Sequence, residues 1–159
     1  MLNRLFRIFF LLAALAVSST AAVAAGGGGD VSRMAPEDPN YAAGTKAVEA
    51  MNWQAALDAF NKVVAKDPGN ANAHNYLGYT YRKSGQFDLA FKHYDEALRL
   101  NPKHRGAREY LGEAYLMVNK LDKAEEQLRE LDRLCFFGCE EYNELKQAVA
   151  EYKRRSASK

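Results

Sequence analysis

A period of 34 residues runs through the middle of this 159-residue chain, and it restricts the possible folds more than any local motif does. A frame set at Glu37 aligns residues 37–70, 71–104 and 105–138 without a gap. Gly44, Gly78 and Gly112 share one column, and Ala56, Ala90 and Ala124 another. Trp53, Phe87 and Leu121 form a third, Phe60, Tyr94 and Leu128 a fourth, and Pro68 and Pro102 a fifth. Self-similarity at a period of about 20 to 50 residues is the mark of a stacked repeat architecture, in which no unit buries its apolar face alone.

The columns make physical sense within each copy. In the second copy Tyr76, Leu77 and Tyr81 recur at helical spacing. After a break at Ser84-Gly85 the pattern resumes in Phe87, Ala90, Phe91, Tyr94, Ala97 and Leu98, so each copy reads as two facing amphipathic helices. Asp67-Pro68-Gly69-Asn70 and Asn101-Pro102 stop the second helix of a pair, because proline cannot continue the hydrogen-bond ladder. A helical glycine costs about 1 kcal/mol against alanine. Three in one column therefore imply a packing gain, expected where two helix backbones approach closely.

Tyr76-Leu77-Gly78-Tyr79 with Tyr81, Ala90, Tyr94, Ala97 and Pro102 resembles the tetratricopeptide repeat family. The third copy matches through Tyr110-Leu111-Gly112, Tyr115, Ala124, Leu128 and Leu131. The resemblance implies an all-α, right-handed helical solenoid of three helix-turn-helix repeats plus a C-terminal capping helix. It also implies a concave groove lined by the first helices, where the family binds peptides or partner helices. The family's groove columns fall on Tyr41, Thr45 and Glu49 in repeat one, and on Asn75, Tyr79, Arg82 and Lys83 in repeat two. In repeat three they fall on Glu109, Glu113, Leu116 and Met117. Asn75 can bond a peptide backbone through both ends of its amide, and Tyr41 and Tyr79 can cover apolar side chains. One subgroup of the family grips chaperone C-terminal carboxylates with lysine, arginine and asparagine. Glu109 and Glu113 stand where the third repeat would supply positive charge, so that clamp is rejected. The groove is expected to be split, with Arg82 and Lys83 on one side and the two glutamates on the other, and to hold an acidic or polar extended segment.

The ends read differently from the repeats. Arg4 and Arg7 precede an apolar run from Ile8 to Val17, and Ala22-Val23-Ala24-Ala25 follows as a small-residue cleavage region. Residues 1–25 thus have the three parts of a secretory signal peptide. The alternative is an uncleaved anchor, since Ile8 to Ala25 reaches the lower limit of a membrane span, although Ser18-Ser19-Thr20 weakens it. Cleavage leaves no membrane insertion and a periplasmic or secreted chain. All 20 acidic residues lie after the signal, and two of the 22 Lys and Arg lie within it, so the remainder is formally neutral. No basic patch interleaved with base-stacking aromatics occurs, which argues against nucleic acid. Residues 26–36, opening with Gly26 to Gly29, read as a flexible linker. That glycine run opens no helix and fails the context of a phosphate loop.

After the third repeat, residues 139–153 read as a capping helix with Tyr142, Leu145, Val149 and Tyr152 on one apolar stripe. Glu141, Glu144 and Lys146 lie off that stripe and are expected to face water. Residues 154–159 complete a basic tail, expected to be solvated and frayed. Cys135 and Cys139, the two cysteines, flank the turn before the cap. In an exported chain such a pair forms a structural disulfide, and Gly138 would let the backbone bend to allow it. Free buried thiols, a redox pair or a metal site remain open alternatives, although three intervening residues are unusual for a redox pair and no histidine lies near in sequence.

His74, His93 and His104 have no nucleophile or ligand at a useful spacing. Acidic pairs such as Glu125-Glu126 and Glu140-Glu141 read as solvated helix faces. The expectation is a non-catalytic adaptor with no cofactor and no metal, holding a protein or peptide partner. Two other readings stand beside it: an assembly module docking through its end faces, and a thiol-disulfide protein using Cys135 and Cys139.

Overall fold

The computed structural model describes residues 38–158. The expected signal peptide and linker lie outside the described residues. Seven helices are described: α1 Pro39–Glu49, α2 Trp53–Lys66, α3 Ala71–Lys83, α4 Phe87–Leu100, α5 Arg105–Met117, α6 Leu121–Leu134 and α7 Glu140–Ala157. The period is visible in the boundaries. Trp53, Phe87 and Leu121 open the second helix of each pair, one period apart, and Lys66, Leu100 and Leu134 close it. Helices α3 and α5 begin after Asn70 and His104, whose side chains accept hydrogen bonds from the amides of Ala73 and Ala107. Helix α1 starts at Pro39, with Asp38 accepting from the Asn40 amide and proline at a position where its missing N–H costs nothing.

The turn inside each pair also repeats. Met51, Gly85 and Asn119 occupy one column and share the left-handed conformation, with φ of 54°, 75° and 60°. Only the second copy meets that demand with glycine.

Packing follows the columns. Ala56, Ala90 and Ala124 are fully buried between helices, as are Phe60 and Tyr94. The glycine column works differently from the expected close approach of backbones. A Cβ on Gly44 would stand 2.7 Å from the Phe60 ring, and one on Gly78 would stand 2.6 Å from the Tyr94 ring. Each glycine is a notch that receives a ring from the second helix of its own repeat. Repeat three departs from this: the side chain over Gly112 is Leu145 of α7, with a methyl 2.5 Å from the added Cβ. Leu145 and Val149 join Leu116, Ala124 and Leu131 in one core cluster, flanked by Tyr142 and Tyr152.

Helix α7 continues to Ala157, past the expected end at 153, so most of the basic tail is helical. Lys153 pairs with Glu125 and Arg155 with Glu151. Cations in a last helical turn also complement the negative end of the helix dipole. Between α6 and α7 the chain turns at Gly138, with φ of 83°, and brings Cys135 and Cys139 within disulfide distance, Cα atoms 5.5 Å apart. Phe136 and Phe137 in this turn are 87% and 97% exposed and pack edge-on against each other.

Candidate functional site

The inner faces of α1, α3 and α5 carry a run of aromatic rings. Tyr41 packs edge-on against Tyr76, with centroids 5.7 Å apart, and Tyr79 meets Tyr110 at 5.1 Å. Tyr76 stacks on Phe60, which ties this face to the core of repeat one. Burial raises the phenols of Tyr76 and Tyr110, the latter to about 12, so both remain neutral donors at neutral pH.

The charges expected to stand apart along the groove are joined. Arg82 bonds to Glu113 at 2.6 Å, and its guanidinium lies between the rings of Tyr79 and Tyr110, 5.3 and 5.4 Å from their centroids. Its side chain is only 8% exposed. Arg82 therefore fastens α3 to α5, and its removal would strand the Glu113 carboxylate. Lys83 is exposed beside the Tyr79 ring, and Met117 is exposed at the end of α5 with its sulfur 3.9 Å from Arg82. Leu116 is not a groove residue: it is buried in the core cluster beneath α6 and α7. Thr45 turns its hydroxyl back to the Ala42 carbonyl, and Glu49 is exposed at the end of α1.

Tyr41, Asn75 and Glu109 do come together. They line a cleft of about 500 Å³ between α1, α3, α5 and α7. Its far wall consists of Glu140, Glu141 and Glu144 on α7. Glu141, expected to face water, reaches back to Arg105 at 3.3 Å. Glu109 is buried, and its carboxyl is pushed up to about 9, by burial first and then by Glu144, Glu113 and Glu141. Asn75 is 7% exposed, and its Oδ1 is buried without a hydrogen-bond partner among the described residues.

The α7 wall was missing from the sequence reading, although the signal was available. Carrying the 34-residue frame one step past residue 138 places Leu145 in the column of Leu77 and Leu111, and Glu144 in the column of Tyr76 and Tyr110. Helix α7 is thus a fourth first-helix in phase, with the Glu144 carboxylate where repeats two and three carry a tyrosine ring. The contact between His74 and His93 was also missed, because it joins α3 to α4. Their Nδ1 atoms lie 3.0 Å apart, and Nε2 of His74 is 3.2 Å from the Pro68 carbonyl. A carbonyl only accepts, so His74 carries its proton on Nε2 and receives the Nδ1–H of His93. Among the described residues no three His, Cys, Asp or Glu side chains are placed to hold a metal ion.

Residues 71–104 match the family model described as the tetratricopeptide repeat. The TPR2B domain of yeast Sti1, solved as a complex with pHsp70, superposes with a TM-score of 0.67 over 73% of this chain and 94% of that one, at 18% identity. Residues 71–104 are a tetratricopeptide repeat, and the described residues share the fold of tetratricopeptide repeat domains. Protein bimA of Emericella nidulans is 28% identical over 105 residues, covering 66% of this chain and 13% of bimA. The uncharacterized protein Ycf37 of Pyropia yezoensis is 40% identical over 55 residues, 35% of this chain and 31% of Ycf37. The chain therefore spans about an eighth to a third of the length of these curated relatives.

Proposed function

We propose that this repeat protein is a non-catalytic adaptor, exported to a periplasm or secreted, that holds a segment of a protein partner against its concave face. The observation that carries the reading is the cleft between α1, α3, α5 and α7. It is large enough for a side chain with flanking backbone, and it combines rings, an amide with a free acceptor and carboxylates. A fold shared with a domain solved in complex with pHsp70 adds support. Export rests on the residues of 1–25 and on a cysteine pair that an oxidising compartment would keep joined. No helix among the described residues is long and apolar enough to cross a membrane.

Affinity capture from envelope extract, followed by titration calorimetry with the captured partner, tests this. Asn72→Ala and Glu144→Gln, both at exposed cleft positions, should weaken binding by about 1–3 kcal/mol, while Lys92→Ala on exposed α4 surface should not. Equal affinities for all three variants would refute the groove. A second reading has one specific observation in its favour. Phe136 and Phe137 project from the α6–α7 turn, as a docking point for an envelope assembly would. If Phe136→Ser with Phe137→Ser abolishes capture and the cleft variants do not, the assembly reading replaces the adaptor.

A further inference from the structure

The polarity of the cleft is the reverse of what the sequence led one to expect. Among the described residues four carboxyl groups line it, from Glu109, Glu140, Glu141 and Glu144, and no lysine or arginine does. Arg105 neutralises Glu141. Among the described residues Glu109, Glu140 and Glu144 have no cationic partner, and Glu109 is only 4% exposed. Glu109 keeps its proton in the empty cleft because burial and the carboxylates around it disfavour a further negative charge, and an incoming positive group would let it ionise.

Acidic side chains alone would not define a ligand. Asn75 supplies the independent observation: it is more than nine-tenths buried, lines the same cleft, and holds an acceptor oxygen that no described residue satisfies. A buried acceptor left without a donor costs about 1–3 kcal/mol, which a donor on a bound ligand would recover. The described carboxylates do not converge as a metal cage requires, so a compact divalent ion has no seat. The rings of Tyr41, Tyr76 and Tyr110 also line the cleft, with Asn72, His104 and Gly106. The rings suit an apolar stem and, through their faces, a cation.

We propose that this cleft is a receptor for a basic side chain, lysine or arginine, on an extended partner segment. Its methylene stem would lie against the tyrosines, and its charged end would donate to Glu109, Glu144 and the Asn75 amide oxygen. The proposal rests on the adaptor reading for its biological occupant, but its chemistry can be tested apart from it. It also excludes an acidic C-terminal tail as the tenant of this part of the groove, since such a tail would face carboxylates on two walls.

The test is a nuclear magnetic resonance titration of isotope-labelled protein with Nα-acetyl-lysine amide, Nα-acetyl-arginine amide and the neutral Nα-acetyl-norleucine amide. The two cationic probes should saturate the Asn75 side-chain amide shift at concentrations about tenfold lower than norleucine, as expected for a charge-assisted contact. Glu144→Gln and Glu109→Gln should each reduce that preference, and raising the salt should do the same. Equal half-saturation by lysine and norleucine probes would overturn the proposal, as would a preference that survives both glutamine variants. If the preference is absent while the cleft variants still weaken the captured partner, the adaptor stands and the cation receptor falls. If the preference is present while partner binding ignores the cleft, the receptor stands and the adaptor falls.

Discussion

Repeats two and three obey the same sequence rule and close in different ways. In repeat two, Gly78 is filled by Tyr94 of its own second helix, as Gly44 is filled by Phe60 in repeat one. In repeat three the matching position in the second helix is Leu128, and Leu145 of α7 takes the notch at Gly112. A shared period therefore does not guarantee equal self-sufficiency. The first two repeats complete their own seams, while the third borrows a side chain from the cap. The same cap supplies the acidic wall of the cleft, so the borrowed side chain and the cleft meet at the α5–α7 junction.

The sharpest way to break this comparison is Leu145→Ala. Leu145 is fully buried, and its truncation should cost about 2–5 kcal/mol. Hydrogen exchange should rise in α5, α6 and α7 while α1 to α4 keep their protection; a uniform rise would show that repeat three is no more dependent than the others. A smaller contrast is expected between Gly78→Ala and Gly112→Ala. At Gly78 the new methyl meets a rigid, fully buried ring, and at Gly112 it meets a leucine methyl that can rotate aside. Urea midpoints should place Gly78→Ala about 1–3 kcal/mol below wild type and Gly112→Ala closer to it. Equal shifts would remove the distinction.

The polar side of the junction predicts a pH effect. The Glu109 carboxyl holds its proton up to about 9 in the folded chain, against 4.5 ordinarily, with Glu113, Glu141 and Glu144 around it. The folded state then binds more protons than the unfolded state between those values, so this group lowers stability as pH rises through that window. Thermal melts of Glu109→Gln should match wild type at the acid end of the window and exceed it progressively toward the alkaline end. Parallel curves would show that Glu109 titrates normally. The smallest effect belongs to the other end of the array. Met51 is 71% exposed and held at φ 54°. Met51→Gly should therefore stabilise by about 1 kcal/mol. Because it lies in repeat one, exchange in α5 to α7 should not change.

The fold was legible in the sequence because its cause is periodic. Five columns place six helices, and the turn prolines and the Ser84-Gly85 break mark their ends. The site was legible only as a face. Periodicity brought Tyr41, Asn75 and Glu109 to one cleft, but it could not reveal that Arg82 would spend its charge on Glu113, since that bond joins neighbouring repeats. Leu116 was misplaced because a residue at the end of a first helix can turn toward the cap as easily as toward the groove. The acidic wall escaped because the frame was stopped at residue 138, although α7 keeps phase with it.

The histidine contact in the middle repeat sets an opposite sensitivity. Burial, then His74 and Lys92, depress His93 to about 4, with Glu96 pulling the other way. An unfolded histidine takes up its proton near 6.5, so the stability this group contributes is complete above that value and is lost as the pH falls toward 4. Acid thus loosens the seam between α3 and α4, at the centre of the array, while alkali loosens the junction with the cap. The cleft is held apart from the α3–α4 seam, because Arg82 and Glu113 join α3 to α5 directly.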